Sequence, residues 1–177
     1  MSGPRPDDVP QPKAAGQPAG TAGAGMTLCR VHHPDPSLLQ QLESYDSESF
    51  GPTGLRTYDI AVIAQAGAVF LAHLGAEAIG GCQLMRVLDE PDFFYVVGFY
   101  VRPPWRGRHL GRELLRLVAQ ESLALGAKGL VLTVSPDNPA ALALYESFGF
   151  VEDRFVPRFY GENEDRHILR WRFPAGA

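Results

Sequence analysis

Between Val101 and Leu114 the chain reads VRPPWRGRHLGREL. Three guanidiniums, Arg106, Arg108 and Arg112, crowd a turn that also holds Gly107, His109, Leu110 and Gly111. A strand-like run, FFYVVGFYV at 93–101, precedes the turn. An apolar helical stripe of Leu110, Leu114, Leu117, Val118 and Leu125 follows it. The first turn of a helix leaves backbone N–H groups without intrahelical partners. The helix dipole adds partial positive charge there, about 0.3–1 kcal/mol per nearby anion. Arginine contributes full charges and forked donors, and Gly107 and Gly111 let a ligand approach the backbone. The chemistry so assembled is polyphosphate binding. A solvated basic helix face would use the same residues, so the turn alone does not decide.

The second stretch is VLTVSPDNPAALALYESFGF, 131–150. A buried strand is expected over 128–134, then Asn138 as helix cap, Pro139 at the first helical position, and Gly149 as terminator. Tyr145 falls on that short helix. It is either a core aromatic or a hydroxyl able to handle a proton.

The elements that must position these residues are spaced for one α/β or α+β domain. A strand is expected near Met26–His32, and a helix over PDPSLLQQLESYDSES with Leu38, Leu39 and Leu42 on one side. GPTGL punctuates the chain. Strands at 67–73 and 76–87 flank a Gly-containing turn. The run 93–101 reads as a central strand covered on both faces. Two further strands, FVEDRFV and HILRWRF, close the chain. Residues 1–25 are nearly all Pro, Gly, Ala and polar, so a disordered tail is expected there, with the domain at 26–177 and Met26 itself a candidate start.

With 177 residues and a formal charge of −4, a general nucleic-acid or anionic-membrane surface is disfavoured, and any basic patch is local. No apolar run is long enough to span a bilayer. Cys29 and Cys82 form no CxxC pair and no metal-ligand spacing, so no metal is expected; two buried or half-buried thiols in a reducing, cytoplasmic setting are.

The 101–115 segment resembles motif A of the GNAT acyltransferase superfamily, [RQ]-x-x-G-x-[GA], with Arg106 at the first position, Gly111 at the last and His109 departing at the middle glycine. Residues 131–150 resemble that family's second signature, a strand followed by Asn and A-x-x-L-Y-x-x-x-G-F. The likeness covers roughly residues 55–173. It implies a mixed, mostly antiparallel central sheet with helices on both faces and a splayed strand pair. It also implies acetyl-CoA as donor, its pyrophosphate held by Arg106, Gly107, Arg108, His109, Leu110, Gly111 and Arg112. Pantetheine would pair with the backbone of Phe99, Tyr100 and Val101 as an added strand, where an N–H polarises the thioester carbonyl. Asn138 would contact the pantetheine arm, and Tyr145 would face the sulfur.

Within the family the pattern is most similar to ribosomal-protein-alanine and other protein N-terminal acetyltransferases. Thr133 stands where that branch often carries a carboxylate or imidazole, and Tyr95 where several members place a base or water-holding residue. A Tyr95–water–Thr133 relay is therefore the expected proton path. Such a weak base suits an amine of low pKa. At pH 7, deprotonating an α-amine costs about 1 kcal/mol and a lysine amine about 4.6. The segment RFYGENEDRHIL resembles the YY…EDA hairpin that covers the peptide in that branch, with Phe159 and Tyr160 as the aromatic pair. Glu162, Glu164 and Asp165 either attract a cationic amine or form a solvated loop.

The expected activity is direct acetyl transfer to a protein or peptide N-terminus. A small-molecule amine (polyamine, amino acid or aminoglycoside) is the alternative acceptor, and an acyl-CoA sensor without catalysis the alternative class. A homodimer is left open.

Overall fold

The computed structural model describes residues 25–174. The expected tail lies outside them, except for Gly25. In chain order the elements are β1 (Met26–Val31), α1 (Pro36–Phe50), α2 (Thr57–Ala66), β2 (Ala68–Leu74), β3 (Glu77–Arg86) and β4 (Phe93–Val101). They are followed by α3 (Leu110–Ala124), β5 (Gly129–Val134), α4 (Pro139–Glu146), β6 (Val151–Val156) and β7 (Arg166–Arg172). Single 3₁₀ turns sit at Gly51–Thr53 and Pro103–Trp105.

The seven strands form one sheet in the order β1-β2-β3-β4-β5-β7-β6. Every neighbouring pair is antiparallel except β4 and β5, which run parallel. The mixed, mostly antiparallel α/β sheet expected from the sequence is the one observed.

Strand alternation separates two cores. On β2, Ala68, Phe70 and Ala72 join Leu114, Leu115 and Val118 of α3 on one face. Val69 and Leu71 join Leu42 of α1 and Ile60 and Ile63 of α2 on the other. Each such fully buried aliphatic side chain contributes about 1.5–3 kcal/mol relative to exposure. The central place of β4 follows from this, since its residues are covered from both sides.

Helix α2 has no counterpart in the sequence reading. Its N-cap is Arg56, outside the usual Ser, Thr, Asp and Asn set, and it offers only ten residues. Tertiary contacts hold it instead. The Glu43 carboxylate of α1 accepts from Arg56 Nε at 2.9 Å, from the Thr57 backbone N–H at 2.9 Å and from the Thr57 hydroxyl. That hydroxyl contact, first among several, holds the Glu43 carboxyl below its ordinary range.

The thiol expectation needs one correction: Cys82 is buried on β3 but Cys29 is exposed. Cys29 lies on β1, an edge strand whose side chains are largely outward-facing.

Candidate active site

Strands β4 and β5 pair only over Phe93–Val96 and Gly129–Leu132. Beyond that seam β4 runs on to Val101 and β5 to Val134, and the two part. A cleft of about 620 Å³ opens between them, lined by Phe99, Tyr100 and Val101 from β4, Thr133 from β5, and Asn138 and Tyr145 from the following helix. The backbone edge of β4 here has lost its β5 partner, which is the arrangement an extended ligand needs.

A bulge aims this edge. Gln83 of β3 pairs with Gly98 and Leu84 with Val96, so Val97 is the extra residue. Val97 packs on the α1–α2 core, whereas Phe99 and Val101 turn to the α3 core. Gly98 faces α1: a Cβ there would stand 2.3 Å from Gln83 Oε1 and 3.8 Å from Asp46 Oδ2. Asp46 is fully buried. Its carboxylate accepts from the Leu55 backbone N–H at 2.7 Å and from Gln83 Nε2 at 3.1 Å. Burial raises its pKa to about 6 despite those two bonds.

At one end the cleft meets the N-terminus of α3. Gly107 (φ +75°) and His109 (φ +57°) are both left-handed, and His109 is the N-cap with no side-chain capping bond. The position of His109 is one where glycine fits without strain, which explains why its side chain looked out of place. That side chain is exposed. A second hollow of about 460 Å³ adjoins the cleft through Val101, Arg106 and Gly111 and is also lined by Gly107, His109 and Arg112. Leu110 opens the helix half-buried and packs toward the α3 core.

The three arginines differ. Arg106 folds inward, its Nε donating to the Val101 carbonyl at 2.9 Å and its Nη2 to that of Ser49 at 3.4 Å. Arg112 donates to Ser147 Oγ at 2.8 Å and lies over the Phe148 ring. Arg108 stacks on Trp105 and lines neither hollow. Among the described residues none of the three pairs with a carboxylate, so their charge is available to an anion.

Asn138 caps α4, its Oδ1 accepting from the Ala141 N–H at 3.1 Å, while also lining the cleft. Capping and contact with a cleft ligand are therefore compatible. Tyr145 is buried, 7% exposed, with Phe99 and Phe150 against its ring. Burial, with a smaller contribution from Cys82, pushes its pKa well above the ordinary tyrosine value.

At the other end, three hydroxyls meet. Tyr95 Oη lies 3.3 Å from Thr133 Oγ1 and 3.2 Å from Tyr160 Oη, and Thr133 Oγ1 lies 3.2 Å from Tyr160 Oη. Tyr95 and Thr133 thus touch directly, with no room for the expected water between them. Burial first, then the Tyr160 hydroxyl, pushes Tyr95 up to about 12, which keeps its hydroxyl protonated near neutrality. Phe159 packs edge-on against Tyr160, the ring centroids 4.6 Å apart.

The acidic residues of this hairpin are partly committed. Glu164 pairs with Arg166, and Asp165 Oδ1 accepts from the Arg158 N–H at 2.8 Å. Sequence reading missed Arg166, which lines the cleft, and missed Ser49 and Phe50 at the end of α1, which do too. Among the described residues there is no cluster of three or more His, Cys, Asp or Glu side chains able to hold a metal, and no helix long and apolar enough to cross a membrane.

A family model described as the acetyltransferase (GNAT) family matches residues 35–150. An IAA acetyltransferase of Azospirillum brasilense is 25% identical over 115 residues, covering 65% of this chain and 75% of that protein. The N-alpha-acetyltransferase RimI of Mycobacterium tuberculosis is 40% identical over 91 residues, 50% of this chain and 55% of that protein. In fold, the ribosomal-protein-S18-alanine N-acetyltransferase of Escherichia coli superposes with a TM-score of 0.72 at 22% identity, covering 86% of this chain and 97% of that one.

Proposed function

The chain belongs to the acetyltransferase (GNAT) family, and from that premise we propose that it moves an acetyl group from acetyl-CoA to the α-amine of a protein or peptide N-terminus. The parted β4–β5 strands, with unpaired guanidiniums at one end and a hydroxyl trio at the other, are the observation that carries this reading. The diphosphate of the donor would rest on the α3 N-terminus with Arg106 and Arg112, as helix dipole and guanidinium geometry favour. Arg108 is left to the surface. Pantetheine would fill the lost strand position beside Phe99–Val101, with an amide N–H polarising the thioester carbonyl.

The amine nitrogen attacks the carbonyl carbon, the C–N bond forms, and the C–S bond breaks as the electron pair leaves on sulfur. Tyr145 donates a hydrogen bond to that sulfur. Its raised pKa makes it a poor outright acid, so the thiolate takes its proton from the new ammonium, through water held by Tyr95, Thr133 and Tyr160. No carboxylate or imidazole is among the residues lining the cleft. That favours an acceptor with an appreciable neutral fraction near pH 7, roughly one part in seven for an α-amine against less than one in a thousand for a lysine. The family relative named as an N-alpha-acetyltransferase supports the same choice.

Free-thiol release from acetyl-CoA, measured against peptides with free and with blocked N-termini, tests it. Release with free N-termini, and none when only lysine amines remain, is the expected result. Turnover on lysine side chains or on polyamines alone overturns the acceptor. Bound CoA with no release to any amine favours the sensor.

A further inference from the structure

Two cations line the cleft, Arg106 beside the α3 N-terminus and Arg166 at the opposite end, and no lining side chain is anionic. The first has a function in donor binding. The second has none so far.

Arg166 begins β7, which pairs with β5 so that Ile168 stands opposite Thr133. Strand alternation puts Arg166 on the same face as Ile168 and Thr133, about 7 Å further along. Its guanidinium lies over the Tyr160 ring, 5.0 Å from the centroid. One Nη donates to the Asp165 carbonyl at 2.7 Å and the other to Glu164. Arg166 is largely covered, 18% exposed, but Glu164 is 40% exposed. The Glu164 end of the pair is open to water, so a ligand carboxylate in the cleft can compete with Glu164 for the forked donors.

We infer that Arg166 sets acceptor specificity by binding a carboxylate a few bonds from the reacting amine, as in an N-terminus that begins with Asp or Glu, or in a free acidic amino acid. This rests on the acetyl-transfer reading above. Tyr160 links the two groups, its hydroxyl meeting Thr133 and its ring lying under the Arg166 guanidinium, so an amine seated at that hydroxyl would place its first-residue side chain toward Arg166.

The test compares kcat/KM for matched peptides beginning with Glu and with Gln, and for free glutamate and glutamine, with acetyl-CoA saturating. The wild-type protein should favour the Glu-first peptide at least tenfold over its Gln-first partner. Arg166→Gln should bring that ratio near one, and Arg166→Lys should retain several-fold preference. Preference shown by the peptides but not the free amino acids assigns the carboxylate to an N-terminal residue; the reverse assigns it to a small molecule. Equal rates for Glu and Gln in both formats, or an unchanged ratio in Arg166→Gln, overturn the proposal. If Arg166→Gln does not fold, the wild-type ratio and Arg166→Lys decide. Acetylation without discrimination defeats only the role of Arg166. Failure to acetylate any amine defeats the catalytic reading instead; calorimetric affinity of the two peptides for acetyl-CoA-loaded protein then judges Arg166 alone, tighter Glu-first binding supporting it and equal binding overturning it.

Discussion

At the residue scale, His109 and Tyr145 show how far side-chain type can be separated from backbone need. His109 holds φ +57° at the α3 cap, a conformation that costs a non-glycine residue roughly 1–2 kcal/mol. His109→Gly should therefore stabilise the fold by about 1 kcal/mol, a rise of about 2–4 °C in Tm for a chain of this size, read by thermal melts. Acetyl-CoA affinity should hold, because the exposed imidazole makes no bond among the described residues. Tyr145→Phe keeps the ring packing against Phe99 and Phe150 and deletes one hydroxyl. A hydrogen bond to a developing charge contributes about 1.5–3 kcal/mol, so kcat should drop roughly ten- to hundredfold with little change in Tm. A kcat within twofold of wild type would return Tyr145 to the role of core aromatic.

At the scale of elements, Asp46 joins α1 to the 51–55 turn and to β3. Its folded carboxyl keeps a proton up to about pH 6, whereas the unfolded one releases it near 3.8. The native chain therefore binds more protons between those values, and stability must fall as pH rises through that window, by roughly 3 kcal/mol at most. Asp46→Asn should flatten this slope, as urea unfolding at pH 4.5 and pH 7 would show. The sequence disclosed the strands, α1, α3 and α4 because periodicity and caps marked them: Pro36 and Pro139 open helices, and Asn138 caps one. Helix α2 was illegible because its anchor, Glu43, lies fourteen residues from Thr57. The Val97 bulge was illegible for a related reason. FFYVVGFYV reads as an unbroken strand, and only the register against Gln83 and Leu84 reveals the extra residue. Arg166 sat in a polar hairpin whose charge pairing no local pattern fixes.

For the whole molecule, the two cores and the sheet between them act as a frame that a ligand completes. Acetyl-CoA bound in the cleft should raise apparent stability by about 2.7 kcal/mol at a hundred times its Kd, seen as a concentration-dependent rise in Tm. The rate with an α-amine acceptor should climb about tenfold per pH unit up to roughly pH 7.8 and then level off, since the fraction of neutral amine sets it. A plateau already reached by pH 6 would point to a base that lowers this limit. Among the described residues the parallel seam, four residues on each strand, is the only pairing that links β1–β4 to β5–β7 within the sheet. The protein is thus built like two covers on a short spine, and whatever spans the gap serves as a splint. Amide hydrogen exchange along the spine, at 93–96 and 129–132, should slow when the splint is in place, even though no bound atom touches most of those residues.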